Sequence, residues 1–410
     1  MPTLLAVAYG GGHITMVLPV LAQLREIIPG LDIELLALTT ARAQSRGLGL
    51  RCIGYTELLA QWPDEEAVRQ GKLLLSGNSH PDVTADESVA YLGLNWVELV
   101  RQHGEQEARR RFSARGRASF YPLELMRRLI ADRRPDFVLT TNSPRTEQAA
   151  VEAAVELGVP CLSMFDLFPV PDDPYALRPV NADITTVISG RARDTLVLAG
   201  MRAEKIAVTG NPAFDALASP ALAAEGWARI LQLGWERSWV VLYAGYAEST
   251  SHGRWLAGTA FPLAIERVLR AFVDSHDDVA LVIRQHPNNW HLFEQEWAQQ
   301  LAHPRIHISR PGLETLEPWL LACNAVVVQA STVGLQAAIA GKPVLSMDES
   351  PSIVAASFSW SALGIAKGVG RVEDLAHELT TLRACVVSPI TDIPSPAAPS
   401  VAALIARRLQ

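Results

Sequence analysis

Three consecutive glycines and a histidine, Gly10-Gly11-Gly12-His13, interrupt an apolar run near the start of the chain, and a second apolar run follows them. Glycine admits positive φ and lets a backbone come close to a ligand, and a helix opening there offers free N–H groups and a partial positive charge. Gly11, Gly12 and His13 are therefore candidates to meet an anion or a polar acceptor group. A plain strand-to-helix connection would need one glycine, and the G-x-G-x-x-G spacing is not met, so phosphate binding at this turn does not follow. Further candidates stand late in the chain: Gly245 and Glu248 in "YAGYAESTSHG", Arg284 and His286 in "VIRQHPNNW", and Ser331, Thr332, Gly334 and Gln336 in "VVVQASTVGLQAAIAGKPVLSM". Hydroxyls and unpaired N–H groups where a helix begins can grip a mono- or diphosphate, although Ser and Thr cap helices of every kind. Asn142 in "TTNSPRTEQ" and Asp166 in "SMFDLF" add an amide and a carboxylate after two earlier apolar runs.

These residues need elements to position them, and the pattern supplies strands. Residues 4–9 are short, apolar and partly β-branched, as in a strand covered on both faces of a parallel sheet. Ile14, Val17, Leu18, Leu21 and Leu24 then recur at helical spacing. The alternation continues through "DIELLALT", "DFVLTT", "PCLSMFD", "ITTVIS" and "KIAVTG", and again through "SWVVLYAG", "VALVIRQ", "IHIS", "AVVVQA" and "PVLSM". Strands alternating with helices imply parallel sheets with crossover helices, and ligands in such sheets sit outside the carboxyl ends of the strands. The segment 213–238 has no strand pattern and reads as a linker. It separates an amino-terminal domain, 1–212, from a carboxyl-terminal one, 239–390, with 391–410 as a proline-rich tail ending in a helix.

Several of these stretches resemble a known group. "DITTVISGRARDTLVLAGMRAEKIAVTGNPAFD" closely resembles the segment joining the domains of bacterial UDP-N-acetylglucosamine 2-epimerases and related GT-B glycosyltransferases. "RQHPNN" and "STVGLQAAIAGKPVL" resemble that group's H-P and S-G-G-x-Q-E-E…G-K-P-V-L motifs in the same order, and "GGGHITMVLPVLAQL" is similar to the glycine-rich first turn of GT-B glycosyltransferases. The resemblance runs from residue 4 to about 350, weakening across 45–130. It implies a GT-B α/β fold: two Rossmann-like, doubly wound domains facing a central cleft. It further implies a nucleotide-sugar donor on the second domain, at His286, Ser331, Thr332 and Gly334, and an acceptor on the first, near His13. A histidine there suits a general base, since the ordinary pKa of about 6.5 lies near neutrality. The same histidine could instead orient the glycine loop or a donor phosphate.

Departures from the group's pattern steer the reading. The epimerase pattern needs carboxylates after the first-domain strands, where this chain has Asn142 and a Phe165–Asp166 pair, and both arginines of its R-R-E-N-H loop are absent around Glu248. Ala337 and Ala338 replace the glutamates that would hold a ribose diol, a loss that also resembles enzymes using CMP-linked sugars. The expectation is a metal-independent glycosyltransferase of bacterial surface-glycan assembly, without cofactor, passing a sugar from a UDP-sugar, or alternatively a CMP-sugar, to a glycan, lipid-linked or other hydroxyl acceptor. In it His13 or Asp166 is the base, and Arg284, His286, Ser331 and Thr332 steady the leaving phosphate. A hydrolysing UDP-N-acetylglucosamine 2-epimerase is the rival.

Composition sets the surroundings. The 410 residues carry a formal charge of −7, which argues against a nucleic-acid binder with a diffuse basic surface. Cys52, Cys161, Cys323 and Cys385 lack metal spacing and read as reduced thiols of a cytoplasmic protein, and neither a signal peptide nor an apolar stretch of about 20 residues is seen. The polar stretch 58–128 contains Arg109, Arg110, Arg111, Arg115 and Arg117. This run reads as a solvated helix face or, flanked by Phe112, Phe120 and Tyr121, as a contact for an anionic acceptor or the inner membrane face.

Overall fold

A computed structural model describes residues 1–75, 82–356, 358–384 and 392–409. The chain divides into two units, Met1–Asp215 with Asp392–Gln410, and Ala216–Thr391. Each is a parallel sheet. The first holds β1 (Thr3–Tyr9), β2 (Asp32–Leu38), β3 (Arg51–Ile53), β4 (Phe137–Thr141), β5 (Cys161–Met164), β6 (Ile184–Val187) and β7 (Ile206–Val208) in the order β3-β2-β1-β4-β5-β6-β7. The second holds β8 (Trp239–Gly245), β9 (Val279–Gln285), β10 (Ile306–Ile308), β11 (Ala325–Val328), β12 (Val344–Met347) and β13 (Lys367–Val369) in the order β10-β9-β8-β11-β12-β13.

The central strands are buried along their whole length because helices cover both faces, and this is why they read as unbroken apolar runs. One face of the first sheet packs Leu4, Ala6, Ile33 and Leu139 against Val17, Leu21 and Leu24 of the helix Gly12–Ile27 and against Val401 and Ile405 of the final helix, Ala398–Leu409. The other face packs Leu5, Val7 and Val138 against Ala150 of the helix Thr146–Glu156 and against the helical region 55–130, including Trp96 and Leu99. In the second unit Val241, Tyr243 and Leu281 pack on Phe261, Ile265 and Leu269 of the helix Ala260–Asp274.

The stretch 213–238 is not a linker. Its helix Pro220–Gln232, capped by Ser219, packs on the helix Glu317–Ala322 so closely that a Cβ on Gly226 would lie 2.1 Å from the Pro318 carbonyl oxygen. The final helix lies in the first unit, where both Asp215 carboxylate oxygens accept backbone N–H groups of Ala397 and Ala398 at 2.7 Å. Cys161 and Cys323 are buried, which pushes both thiols up to about 12. Cys385 lies outside the described residues. No helix among the described residues is long and apolar enough to cross a membrane.

Candidate functional site

In a doubly wound sheet the crevice opens where the strand order reverses, here between β1 and β4 in the first unit and between β8 and β11 in the second. The glycine turn follows β1. Gly10 is held there by packing, since a Cβ would fall 1.9 Å from Thr40 Oγ1, and Gly11 by its φ of 68°. Gly12 meets neither constraint, having open space where a side chain would project. Beside the turn Thr39 adopts a φ of 54°, an outlier for a β-branched residue, and its Oγ1 accepts the Gly10 N–H at 3.2 Å. Thr39 and Thr40 join Glu87, Ser88, Tyr91 and Arg117 around a cavity of about 160 Å³.

His13 opens the helix, half-buried, with Nδ1 2.6 Å from the hydroxyl of Thr141 at the end of β4. Thr141 donates that hydroxyl to Glu147 Oε2 at 2.5 Å, and its backbone N–H reaches the same oxygen at 2.6 Å. The other oxygen, Oε1, accepts the Tyr9 N–H at 2.9 Å, so one carboxylate ties the ends of β1 and β4 together. Glu147 is completely buried, and desolvation raises its pKa above the ordinary carboxylate value. At the same strand end Asn142 Nδ2 donates to Oδ1 of Asp166, which follows β5, at 3.0 Å, while Asn142 Oδ1 is buried without a partner among the described residues. Arg178 donates to the Asn142 carbonyl at 3.0 Å and stacks on Tyr175. The first unit thus gathers His13, Asn142 and Asp166 at neighbouring strand ends.

In the second unit Gly245, Arg284, His286 and Ser331 line one cavity of about 100 Å³ with Gln285, Leu316 and Val333. Arg284 is fixed by donating to Ser309 Oγ at 2.7 Å and to the Glu314 carbonyl at 3.0 Å. Burial lowers its pKa, but a guanidinium starts high enough to stay charged. Burial also lowers the pKa of His286. Its Nδ1 accepts the Asn288 N–H at 3.2 Å, leaving Nε2 as the protonated, outward nitrogen of the neutral ring. Ser331 Oγ accepts the Val333 N–H at 3.3 Å, whereas Thr332, at the N-cap of the helix Val333–Ile339, makes no side-chain cap bond. Gly334 is required by packing, for a Cβ would meet Trp360 Cδ1 at 2.9 Å, and Gln336 lies half-buried farther along the helix.

Glu248 takes a different place from the other candidates. It is 3% exposed, and its oxygens accept Gln329 Nε2 at 2.5 Å, Ser350 Oγ at 2.6 Å, and the backbone and hydroxyl of Ser352 at 3.0 and 2.5 Å. Those four bonds fasten three loops and hold the carboxylate buried among them. The arginine run likewise lacks a shared face: Arg109 pairs with Glu105, and Arg110 and Arg111 pair with Glu107, at 2.6 to 2.8 Å along one helix. The aromatic flank is internal, Phe112 stacking on Phe120 and Tyr121 donating to Glu152, and only Arg117 turns into a cavity. Sequence reasoning missed Thr141 and Glu147, whose one signal was polar residues directly after a buried strand.

Two parallel, doubly wound sheets with their order reversing at β1/β4 and β8/β11 define a GT-B fold. The family model for UDP-N-acetylglucosamine 2-epimerase matches residues 123–380, and the chain belongs to that family. Among solved structures, the UDP-N-acetylglucosamine 2-epimerase of Methanocaldococcus jannaschii is 11% identical with a TM-score of 0.61, the alignment covering 99% of each chain. The Neisseria meningitidis epimerase, solved with UDP-N-acetylglucosamine bound, is 16% identical with a TM-score of 0.55 over 99% of each chain. MurG of Acinetobacter baumannii is 14% identical with a TM-score of 0.55, covering 99% of this chain and all of its own (100%). No curated protein sequence matches.

Proposed function

We propose that the protein acts on a UDP-linked N-acetylhexosamine: His13 takes the proton of carbon 2 as the anomeric C–O bond breaks and UDP leaves. Water then adds its hydroxyl to the anomeric carbon, while a proton returns to carbon 2 from the other face. The observation that carries this reading is the pair of titratable groups at strand ends of the first unit. Inversion at a carbon removes a proton from one face and returns one to the other, which calls for two groups on either side of a sugar ring. His13 follows β1 and Asp166 follows β5, two strand spacings or about 10 Å apart, enough to admit a ring. Family membership supports the same reaction. In the second unit Arg284 and the Nε2–H of His286 steady the diphosphate as it leaves, and Ser331 adds a hydroxyl.

A second reading, glycosyl transfer to a hydroxyl acceptor, is favoured by the cavity of about 160 Å³ beside the glycine turn. That cavity is built by residues 39–117, outside the stretch the family model matches, and could seat an acceptor. The test is UDP-N-acetylglucosamine with the full chain and no acceptor, followed by NMR. Release of UDP with a manno-configured product supports epimerisation. An unchanged sugar nucleotide that is consumed only when a hydroxyl acceptor is added supports transfer, and inertness in both cases sinks both readings.

A further inference from the structure

The bonds around Glu147 have a direction, and the direction decides which nitrogen of His13 can accept a proton. Oε1 receives the Tyr9 N–H, and Oε2 receives both the Thr141 N–H and the Thr141 hydroxyl, so every group within reach of this carboxylate is a donor. A hydroxyl has one proton. Once Thr141 gives it to Glu147, its oxygen can only accept from the imidazole nitrogen lying 2.6 Å away. We infer that Glu147 is a positioning residue for His13, acting through Thr141 to place the ring proton on Nδ1 and leave Nε2 as the basic nitrogen. This rests on the reading of His13 as the base, but makes a claim of its own about the ring.

The parts suit that task. The carboxylate sits on the helix Thr146–Glu156 and the hydroxyl on the last residue of β4, both completely buried and tied by two further backbone bonds, so neither can turn away. Arg145 is engaged elsewhere, stacked over the Tyr9 ring at 4.4 Å, and makes no bond to Glu147. The other neighbouring hydroxyls, of Tyr9 and Tyr55, bond to Thr146 at 3.0 Å and so leave the chain of three residues undisturbed. A ring held by one fixed acceptor also loses its freedom to flip, which keeps Nε2 on one side.

The experiment is long-range proton–nitrogen NMR on the full chain with labelled histidine, His13 being identified as the signal missing from His13→Ala. Wild type should show Nε2 as the unprotonated nitrogen. Thr141→Val should release the ring to the mixed tautomers of a free imidazole, and Thr141→Ser should restore the wild-type pattern. Glu147→Ala should release the ring as well, because the Thr141 hydroxyl, having lost its carboxylate acceptor, is then free to donate to Nδ1. An unprotonated Nδ1 in wild type, or an unchanged tautomer in Thr141→Val, overturns the inference. Should Glu147→Ala fail to fold, the two Thr141 variants decide it. A correct tautomer together with normal turnover of His13→Ala would instead remove the base assignment and leave the positioning claim standing.

Discussion

Each unit buries one carboxylate just behind the ends of its central strands, and the two do opposite things. Glu147 in the first unit accepts three bonds, and one of its donors touches the half-buried His13. Glu248 in the second accepts four bonds from Gln329, Ser350 and Ser352, and Gln329 leads on to the Tyr246 backbone and to the hydroxyl of the fully buried Tyr243. The same architecture therefore uses a desolvated carboxylate once to orient a half-buried ring and once to fasten loops. Burial alone does not mark a functional carboxylate; what its donors touch next does.

The largest effect should come from breaking the first of these. His13→Ala is expected to lower kcat by about 10² to 10⁴, the usual span for a lost general base, while stability and UDP binding stay as they are. Steady-state kinetics with a parallel UDP titration will check this, and normal turnover would pass the role of base to Asp166. Glu248→Ala should show the converse pattern, a loss of about 3 kcal/mol in urea unfolding, because four donors lose a buried acceptor. A variant as stable as wild type would mean that the loops do not depend on this carboxylate.

Arg284 sharpens the comparison from the nucleotide side. UDP at a hundred times its Kd should add about 2.7 kcal/mol to stability, and Arg284→Ala should weaken UDP by about 1.5 to 3 kcal/mol through loss of a charged hydrogen bond. Thermal shifts with UDP and with CMP would test this, and a protein stabilised by CMP alone would redirect the choice of nucleotide. The glycine turn offers a smaller, local contrast. Gly10→Ala meets Thr40 at 1.9 Å and should cost about 1 to 3 kcal/mol by overpacking, whereas Gly12→Ala projects into open space and should fold normally. Equal stability of the two would show that the turn relaxes around Thr40.

The smallest effect concerns pH. Burial lowers the folded-state pKa of His286, so near its ordinary value the unfolded chain binds more protons than the folded one. The sign is then fixed: the contribution of His286 to stability is present above about pH 6.5 and is lost as pH falls through and below it. Replacing it with Asn should flatten that part of the stability profile, and an unchanged slope between pH 7 and 5 would assign the loss to other groups.

The sheets were legible because strands covered on both faces leave an unmistakable apolar run. Each of the ten runs quoted after the first, from "DIELLALT" to "PVLSM", holds a strand. The strands missed, β3 and β13, have three residues each at sheet edges, too short and too exposed to leave a pattern. The helix Pro220–Gln232 was missed as part of the second unit because what it packs against, the helix Glu317–Ala322, lies about 90 residues away in sequence. The family-like motifs identified Arg284, His286 and Ser331, which the structure brings into one cavity. They offered no guide to Glu248, since a carboxylate in a loop looks the same in sequence whether it faces a ligand or four internal donors.

What the sequence determined by itself was therefore local: the strand and helix periods, the glycine turn, and the residue types that follow each strand. Tertiary structure decided which of these act together. Thr141 and Glu147 are six residues apart and carry no motif, yet pairing β1 with β4 sets both beside His13, more than a hundred residues earlier in the chain. Only that pairing links a buried carboxylate, through Thr141, to a half-buried imidazole. The reason is physical: a hydrogen bond depends on separations of about 3 Å and on the direction of a proton, and the order of residues along a chain specifies neither.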